Sequence, residues 1–395
     1  MQLEILLLLD LTSELSRDLR HIPVILRVHT LGWPDLNVKN QLIKALVSLL
    51  KSKSSCQDGE KRFLILSTTG LGDTLWATPA IRALRESFPT SYIGVLTSPI
   101  GKDLLRHNPR INELFVVKNP CLLSLLPLYF QLKSKKFTHV LNFHTSQRPI
   151  LPLSAILGAQ EVIGTRGLNK GLDFLLTKPL EPARIHEIQR RLNIISEMGA
   201  HTLNFSMELF LSAEEDKCAE QFLLAWLPRG IPCVALHPGA KDGFKQWPTS
   251  HFIELGNRLV QNLGCRIIVT GTPAEKALVH SITSQIKGAV SATDLPLLVT
   301  AALLKRMHLM ISNDTGPMHL ALAVQTPTIG LFTPTDPNLC GPYFVNSTLA
   351  IAKKPTCSPC LRKKCAEPFC LLQIGVNEVY DAVVKLLSLG CDRRS

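Results

Sequence analysis

Hydrophobic and polar positions along this chain alternate in blocks. Short apolar runs end in turns rich in glycine, serine or aspartate, and stretches of helical periodicity follow them. Phe63-Leu64-Ile65-Leu66 is the first such run, followed by a Gly-rich turn over residues 67–73. A helical pattern over residues 74–88 comes next, with Pro79 expected to kink it. Residues 92–96, 114–117 and 140–143 read as further buried strands, with a helix over 101–107. Residues 213–228 read as a helix and then a break, and the alternation restarts at Ile231. Strands are expected at 233–236, 266–270 and 309–311, and helices at 249–263, 294–306 and 320–324. Residues 377–389 close the chain as an amphipathic helix. Strands alternating with helices call for parallel, doubly wound sheets, so the expected fold class is α/β with two such sheets. The expected division is an N-terminal extension and linker over 1–60, one sheet domain over 61–226, a second over 227–376, and a closing helix and tail over 377–395.

Three stretches depart from this rhythm. Residues 38–53 put Leu42, Ile43, Leu46, Val47 and Leu50 on one side of a helix and Lys39, Lys44, Lys51 and Lys53 elsewhere. Such a helix lies on an anionic membrane or docks on the body of the protein. Residues 121–132 and 150–158 are unusually apolar and read as core helices, with a lipid-facing surface as the alternative.

Composition narrows the function classes. The 395 residues are 46% hydrophobic and 19% charged, a globular balance with room for two sizeable cores. A formal net charge of +12 favours anionic partners such as nucleotides, phosphorylated glycolipid or an acidic membrane surface. Aromatic residues are only 6%, and no basic stretch is interleaved with them, which argues against nucleic acid. The eleven cysteines are odd in number and mostly scattered, unlike a secreted disulfide framework, so a cytoplasmic setting is expected. No apolar run reaches the roughly 18 residues of a spanning helix. The short Leu6–Leu9 run lacks a basic leader and does not read as a signal peptide.

Candidate chemistry collects at strand ends. Ser312-Asn313-Asp314-Thr315-Gly316-Pro317-Met318-His319 runs from the end of an apolar strand into a helix, with Pro317 at the first turn. Free N–H groups and the positive end of a helix dipole then make Thr315 and Gly316 an anion site, with Asp314 and His319 as polar handles. A plain helix cap with a core histidine is the structural alternative. His237-Pro238-Gly239-Ala240 ends another strand and leads to Lys245, a mobile cation able to reach a phosphate. Glu275 follows a third strand end and is placed to bind ribose hydroxyls. Together these read as a nucleotide-diphosphate pocket. In the first half, Gly70-Leu71-Gly72-Asp73 is neither the dinucleotide fingerprint nor a P-loop. Its glycines, Gly70 and Gly72, allow close backbone approach, and Asp73 is either a helix cap or a general base. Arg148, Arg166, Lys170, Arg184, Arg190 and Arg191 mark a region for an acidic acceptor, or are simply solvated. Cys357, Cys360, Cys365 and Cys370 have a spacing that zinc or an iron–sulfur cluster could use, with structural thiols as the default.

Three of these elements carry a family resemblance. Gly70-Leu71-Gly72-Asp73 with Thr78-Pro79-Ala80-Ile81-Arg82-Ala83-Leu84, His237-Pro238-Gly239-Ala240 with Lys245-Gln246-Trp247-Pro248, and Asp314-Thr315-Gly316-Pro317-Met318-His319 resemble glycosyltransferase family 9, the lipopolysaccharide heptosyltransferases. The resemblance runs from about Arg62 to Leu389 in matching order. It implies a GT-B fold, two Rossmann-like domains facing across a cleft. It implies inverting transfer of L-glycero-D-manno-heptose from ADP-heptose to the Kdo or heptose of the lipid A-linked inner core, at the cytoplasmic face of the inner membrane. By motif, Asp73 would deprotonate the acceptor. Lys245, Thr315, Gly316 and His319 would hold the ADP phosphates, Asp314 would shape their turn, and Glu275 would bind the ribose. No cofactor or metal is then required. The competing expectations are another nucleotide-sugar donor, a nucleotide-sugar epimerase on the same fold, and a metal-binding protein built on the cysteines. The extension over 1–60 has no counterpart in the family, and Thr333 stands where glycine is usual.

Overall fold

The computed structural model describes residues 36–50, 60–118, 122–145, 147–226, 231–343, 348–358, 360–361, 365 and 369–391. Its strands form two six-stranded sheets in which every pairing is parallel. The first contains β1 (Arg62–Ser67), β2 (Tyr92–Thr97), β3 (Glu113–Val116), β4 (His139–His144), β5 (Glu161–Thr165) and β6 (Lys178–Leu180), in the order β3-β2-β1-β4-β5-β6. The second contains β7 (Cys233–His237), β8 (Arg266–Thr270), β9 (Val290–Ala292), β10 (Leu309–Asn313), β11 (Thr328–Phe332) and β12 (Leu349–Ala352), in the order β12-β11-β10-β7-β8-β9. Each sheet repeats one winding. Its first strand is central, with two neighbours added on one side and three on the other. The direction reverses between β1 and β4 in the first sheet and between β7 and β10 in the second, and ligands sit at such switch points.

The helices are α1 (Leu36–Leu50), α2 (Leu71–Trp76), α3 (Thr78–Ser87), α4 (Pro99–Leu105), α5 (Leu122–Ser134), α6 (Ile150–Ala155), α7 (Glu187–Ser196), α8 (Ala213–Leu224), α9 (Thr249–Leu263), α10 (Lys276–Thr283), α11 (Leu297–Lys305), α12 (Gly316–Ala323), α13 (Pro337–Cys340) and α14 (Val376–Cys391). They cover both faces of the sheets, which is why strands such as β7, β10 and β11 are buried at every position and read as unbroken apolar runs. One buried cluster runs from Phe63 and Leu75 through Ile188 to Ala235, Ala302 and Met318. The two sheets therefore share apolar packing and do not hang as separate beads. Helix α8, with a Ser212/Glu215 capping box, packs on α11 and pairs Asp216 with Arg306 at 2.7 Å, while Glu215 bonds Arg106 of the first half.

One expectation needs correction, and several open alternatives are decided. Residues 74–88 are not one kinked helix. The chain breaks at Ala77, and Pro79 sits in the first turn of α3, where its missing N–H costs nothing. The basic helix of the extension is docked, since Ile43 joins a core with Leu125 and Ile150, although Leu42 and Leu49 stay exposed. Lys51 and Lys53 lie outside the described residues. Helix α6 is buried at every residue and offers nothing to lipid, whereas α5 leaves Phe130 exposed. Among the described residues no helix is long and apolar enough to cross a membrane.

Candidate active site

Asp73 lies in the first turn of α2, behind Gly70, which caps the helix without a side-chain hydrogen bond. Its Oδ1 accepts a 2.9 Å hydrogen bond from Arg191 and lies 3.4 Å from Nδ1 of His144, the last residue of β4. Arg191 is fully buried on α7, donates to the Glu187 carbonyl at 2.9 Å and to its carboxylate at 2.6 Å, and lies over the Trp76 ring. Arg190 donates to the same Glu187 carboxylate and to the Phe143 carbonyl at 2.8 Å. Burial alone would raise the Asp73 carboxyl. The His144 hydrogen-bonding contact and the Arg191 charge overcome it and hold Asp73 far below the usual carboxylate range. The group is an anion at any physiological pH.

The second half presents the end of β10 and the start of α12. Asn313 ties the neighbouring turns together. Its Nδ2 donates to the Pro238 carbonyl at 2.8 Å, and its Oδ1 accepts from the Trp247 N–H at 3.0 Å. Asp314 follows, buried, with Lys245 Nζ 2.5 Å away. Thr315 is the N-cap of α12 in extended conformation, and no side chain caps the helix. Its first N–H groups are thus left for a ligand. Glu275 closes a capping box with Thr272, whose N–H and hydroxyl both reach it at 2.8 Å. A Cβ on Gly239 would fall 1.9 Å from Glu275 Oε1, so this carboxylate lies directly on the turn after β7.

The two halves meet at these helix starts. A Cβ on Gly72 would fall 2.9 Å from His319 Cδ2, and one on Gly316 would fall 3.2 Å from Leu71 Cβ. His319 is buried, packs edge-on to Trp76 at 4.7 Å, and leaves Nδ1 without a partner. His186 caps α7, faces the Gly341 carbonyl at 3.2 Å and stacks on Tyr343 at 4.1 Å. Burial pushes both His186 and His319 down to about 4, so both rings are neutral near pH 7. Arg184 and Asp336 bridge the halves at 2.7 Å. An ionised carboxylate and an uncapped helix start with a lysine beside it therefore lie on two helices that pack against each other across the two halves. That arrangement suits displacement of a diphosphate by a hydroxyl.

A family model for glycosyltransferase family 9 (heptosyltransferase) matches residues 126–370, more than half of the sequence. The chain belongs to glycosyltransferase family 9. As a family 9 glycosyltransferase it is 28% identical over 296 residues to the lipopolysaccharide heptosyltransferase 3 of Escherichia coli strain K12, covering 70% of this chain and 83% of that one. Among solved structures, a family 9 glycosyl transferase from Veillonella parvula superposes with a TM-score of 0.75 at 23% identity, over 84% of this chain and 99% of the other. The E. coli heptosyltransferase WaaC with ADP superposes with a TM-score of 0.65 at 18% identity, over 82% and 99%. These likenesses fix the fold as GT-B.

Of the family 9 site residues expected from sequence, Asp73, Gly72, Asp314, Gly316 and His319 converge on the contact between α2 and α12, with Lys245 held on Asp314. Gly70 caps α2 and has open space around its Cα, and Glu275 lies one turn further along the second sheet. Arg190 and Arg191, expected either to meet an acidic acceptor or to be solvated, are not solvated but buried. The structure adds His144, His186, Glu187 and Asn313, which sequence reasoning did not single out. The His186-Glu187 pair followed by Arg190 and Arg191 is the spacing of a capped helix with i,i+3 and i,i+4 ion pairs, a signal that was available. The four late cysteines lie in a region only partly described, and the segment that carries Cys370, Phe369–Gln373, packs on the one that carries Lys245. Among the described residues no group of three His, Cys, Asp or Glu side chains is gathered to hold a metal ion.

Proposed function

We propose that the chain is an inverting heptosyltransferase that moves L-glycero-D-manno-heptose from its ADP-sugar to the Kdo or heptose of the lipopolysaccharide inner core. The observation that carries this reading is the abutment of α2, which bears Asp73, and α12, whose uncapped start is at Thr315 and Gly316. The ADP-bound state of the WaaC structure supports the donor class. In this reading residues 61–226 receive the acceptor, residues 227–376 grip the donor, and the last helix closes the second lobe. The N–H groups of α12 and Lys245 take the charge that builds on the departing diphosphate. Lys245 has three N–H donors, so it can keep Asp314 and still reach a phosphate oxygen. Glu275 binds the ribose, and His319 lines the phosphate turn. Asp73 accepts the acceptor proton as the new C–O bond forms, leaving inverted stereochemistry after one in-line displacement.

The decisive assay offers ADP-heptose against a panel of truncated lipopolysaccharide acceptors. One acceptor should be glycosylated, and donor alone should stay intact. Asp73→Ala should cost about 10²–10⁴ in rate with ADP affinity nearly unchanged. Transfer that survives that change refutes the base assignment, and turnover of donor without acceptor points to an epimerase. Enzyme of net charge +12 working on a lipid-linked acceptor should also bind anionic vesicles peripherally and release them at high salt. No sedimentation with vesicles even at low salt would end that part of the reading.

A further inference from the structure

Along α7 the first lobe carries an open groove of about 260 Å³ that the chemistry above does not use. One wall is a single face of the helix, where Arg190, Asn193 and Glu197 follow at i, i+3 and i+7. The other is the chain that leaves β6, with Leu180, Ala183 and Ile185. Thr165, the last residue of β5, lines it as well. The groove thus lies at the carboxyl ends of β5 and β6, the side on which a doubly wound sheet takes its ligands. Arg190 donates to the Phe143 carbonyl on β4 at 2.8 Å, and the next residue, Arg191, holds Asp73 at 2.9 Å. One helix therefore serves both the groove and the proposed base.

We propose that this groove is an acceptor subsite for a neutral sugar, the residue next to the one that is glycosylated. The inference rests on the transferase reading above. Its first support is charge. The chain as a whole carries +12, yet the charges that line the groove are matched. Arg166 bonds Glu181 at 2.9 Å, Lys178 bonds Glu197 at 2.7 Å, and Arg190 bonds Glu187 at 3.1 Å. Glu187 also takes Arg191, whose other partner is Asp73. A carboxylate or phosphate entering here would have to break one of these pairs. A polar ligand without charge leaves them intact.

The second support is the kind of group on offer. A sugar has hydroxyls that both donate and accept, with apolar C–H faces between them. Asn193 accepts from Gln189 at 2.9 Å through Oδ1, so its N–H₂ is what it has left to give. Ser196 spends its proton on the Asn193 carbonyl at 2.8 Å and keeps its lone pairs. Glu181 and Glu197 have lone pairs to spare beside their ion pairs, and Thr165 adds a hydroxyl. Leu180, Ala183 and Ile185 give the facing wall an apolar strip on which a C–H face can lie. Size agrees. At about 30 Å³ of liquid per water, the groove has the room of roughly nine waters, enough for one sugar residue with its hydroxyls.

The test is steady-state transfer to two acceptors that present the same reacting sugar, one with a neutral hexose or heptose attached beside it and one without. Wild type should favour the first about tenfold in kcat/KM, through a lower acceptor KM. Asn193→Trp fills the groove and should erase that preference, with the KM for ADP-heptose unmoved. A wild type without the preference overturns the proposal, and so does a variant that keeps it or that slows both acceptors alike. A third acceptor, whose neighbouring sugar is phosphorylated, should gain nothing, and an equal gain overturns the assignment to a neutral sugar. Should Asn193→Trp fail to fold, Thr165→Val decides, since it keeps the shape and removes the hydroxyl. It should narrow the preference several-fold, and an unmoved preference overturns the proposal. A wild-type enzyme that glycosylates no acceptor at all overturns the functional reading and this proposal with it. An active one that lacks only the preference leaves the functional reading standing.

Discussion

Arg191 is a guanidinium with no solvent, held between Asp73 and Glu187 and over the face of Trp76. Burial pushes its proton affinity down, as does Arg190, and the two carboxylates oppose them. Removing one partner of such a cluster leaves a buried charge uncompensated, typically at a cost of about 3–5 kcal/mol. Arg191→Met should therefore lower stability by about that amount in urea denaturation, and should let Asp73 climb back toward the carboxylate range. A loss below about 1 kcal/mol would mean that water already screens the pair. The sign for Asp73 follows from its depressed value. Its ion pairing stabilises the fold above the ordinary carboxylate value of 3.8, and that stability fades as pH drops below it. Sequence reading reached Asp73 through its place after two glycines but left Arg191 as either an acceptor-docking residue or a solvated charge, and did not foresee its burial. Only the i,i+4 partner Glu187 is local, and Asp73 is 118 residues away. A contact of that span leaves no periodic trace.

At the scale of elements, the alternation of apolar runs and helices made most of the central strands legible, because strands buried on both faces tend to read as continuous apolar blocks. β6, β9 and β12 escaped, being short edge strands with partly exposed positions, and β5 and β11 escaped although mostly buried, because glycine and threonine interrupt their apolar runs. The split between α2 and α3 escaped too, since helical periodicity continues through Ala77 although the backbone does not. The mutual approach of α2 and α12 was expected from motifs, but its tightness was not. Gly72 is required because the His319 ring occupies the place of a Cβ. Gly72→Ala should force that ring aside, at the roughly 1–3 kcal/mol typical of overpacking. Much of the effect should fall on function, since His319 lies in the turn proposed to bind phosphate. Donor KM should rise several-fold, while the far-ultraviolet circular dichroism stays native. Unchanged donor kinetics would mean that the ring swings away freely and that the halves are less closely apposed than here.

At the scale of the molecule, the contact between the two halves is made partly by neutral buried histidines, and this gives the assembly a pH dependence of definite sign. His186 accepts from the Ile188 N–H through Nδ1, so the ring must carry its proton on Nε2, which donates to the Gly341 carbonyl. Tyr343 covers its face at a 3° interplanar angle. A second proton would sit on Nδ1, against the Ile188 N–H. His186 and His319 are both lowered from 6.5 to about 4. Between those values the unfolded chain takes up protons that the folded chain refuses. Stability contributed by the neutral rings is therefore complete above about pH 6.5 and is lost as pH falls toward 4. The carboxylates held low, Asp73 and Glu215, lose theirs only at lower pH. The melting temperature should thus decline through this window before acid denaturation proper begins. His186→Phe keeps an aromatic ring against Tyr343 and removes the titration. It should melt lower at neutral pH, for want of the Gly341 and Ile188 hydrogen bonds, but with a shallower decline between pH 6.5 and 4. A decline as steep as in wild type would show that the seam between the halves does not depend on a neutral His186.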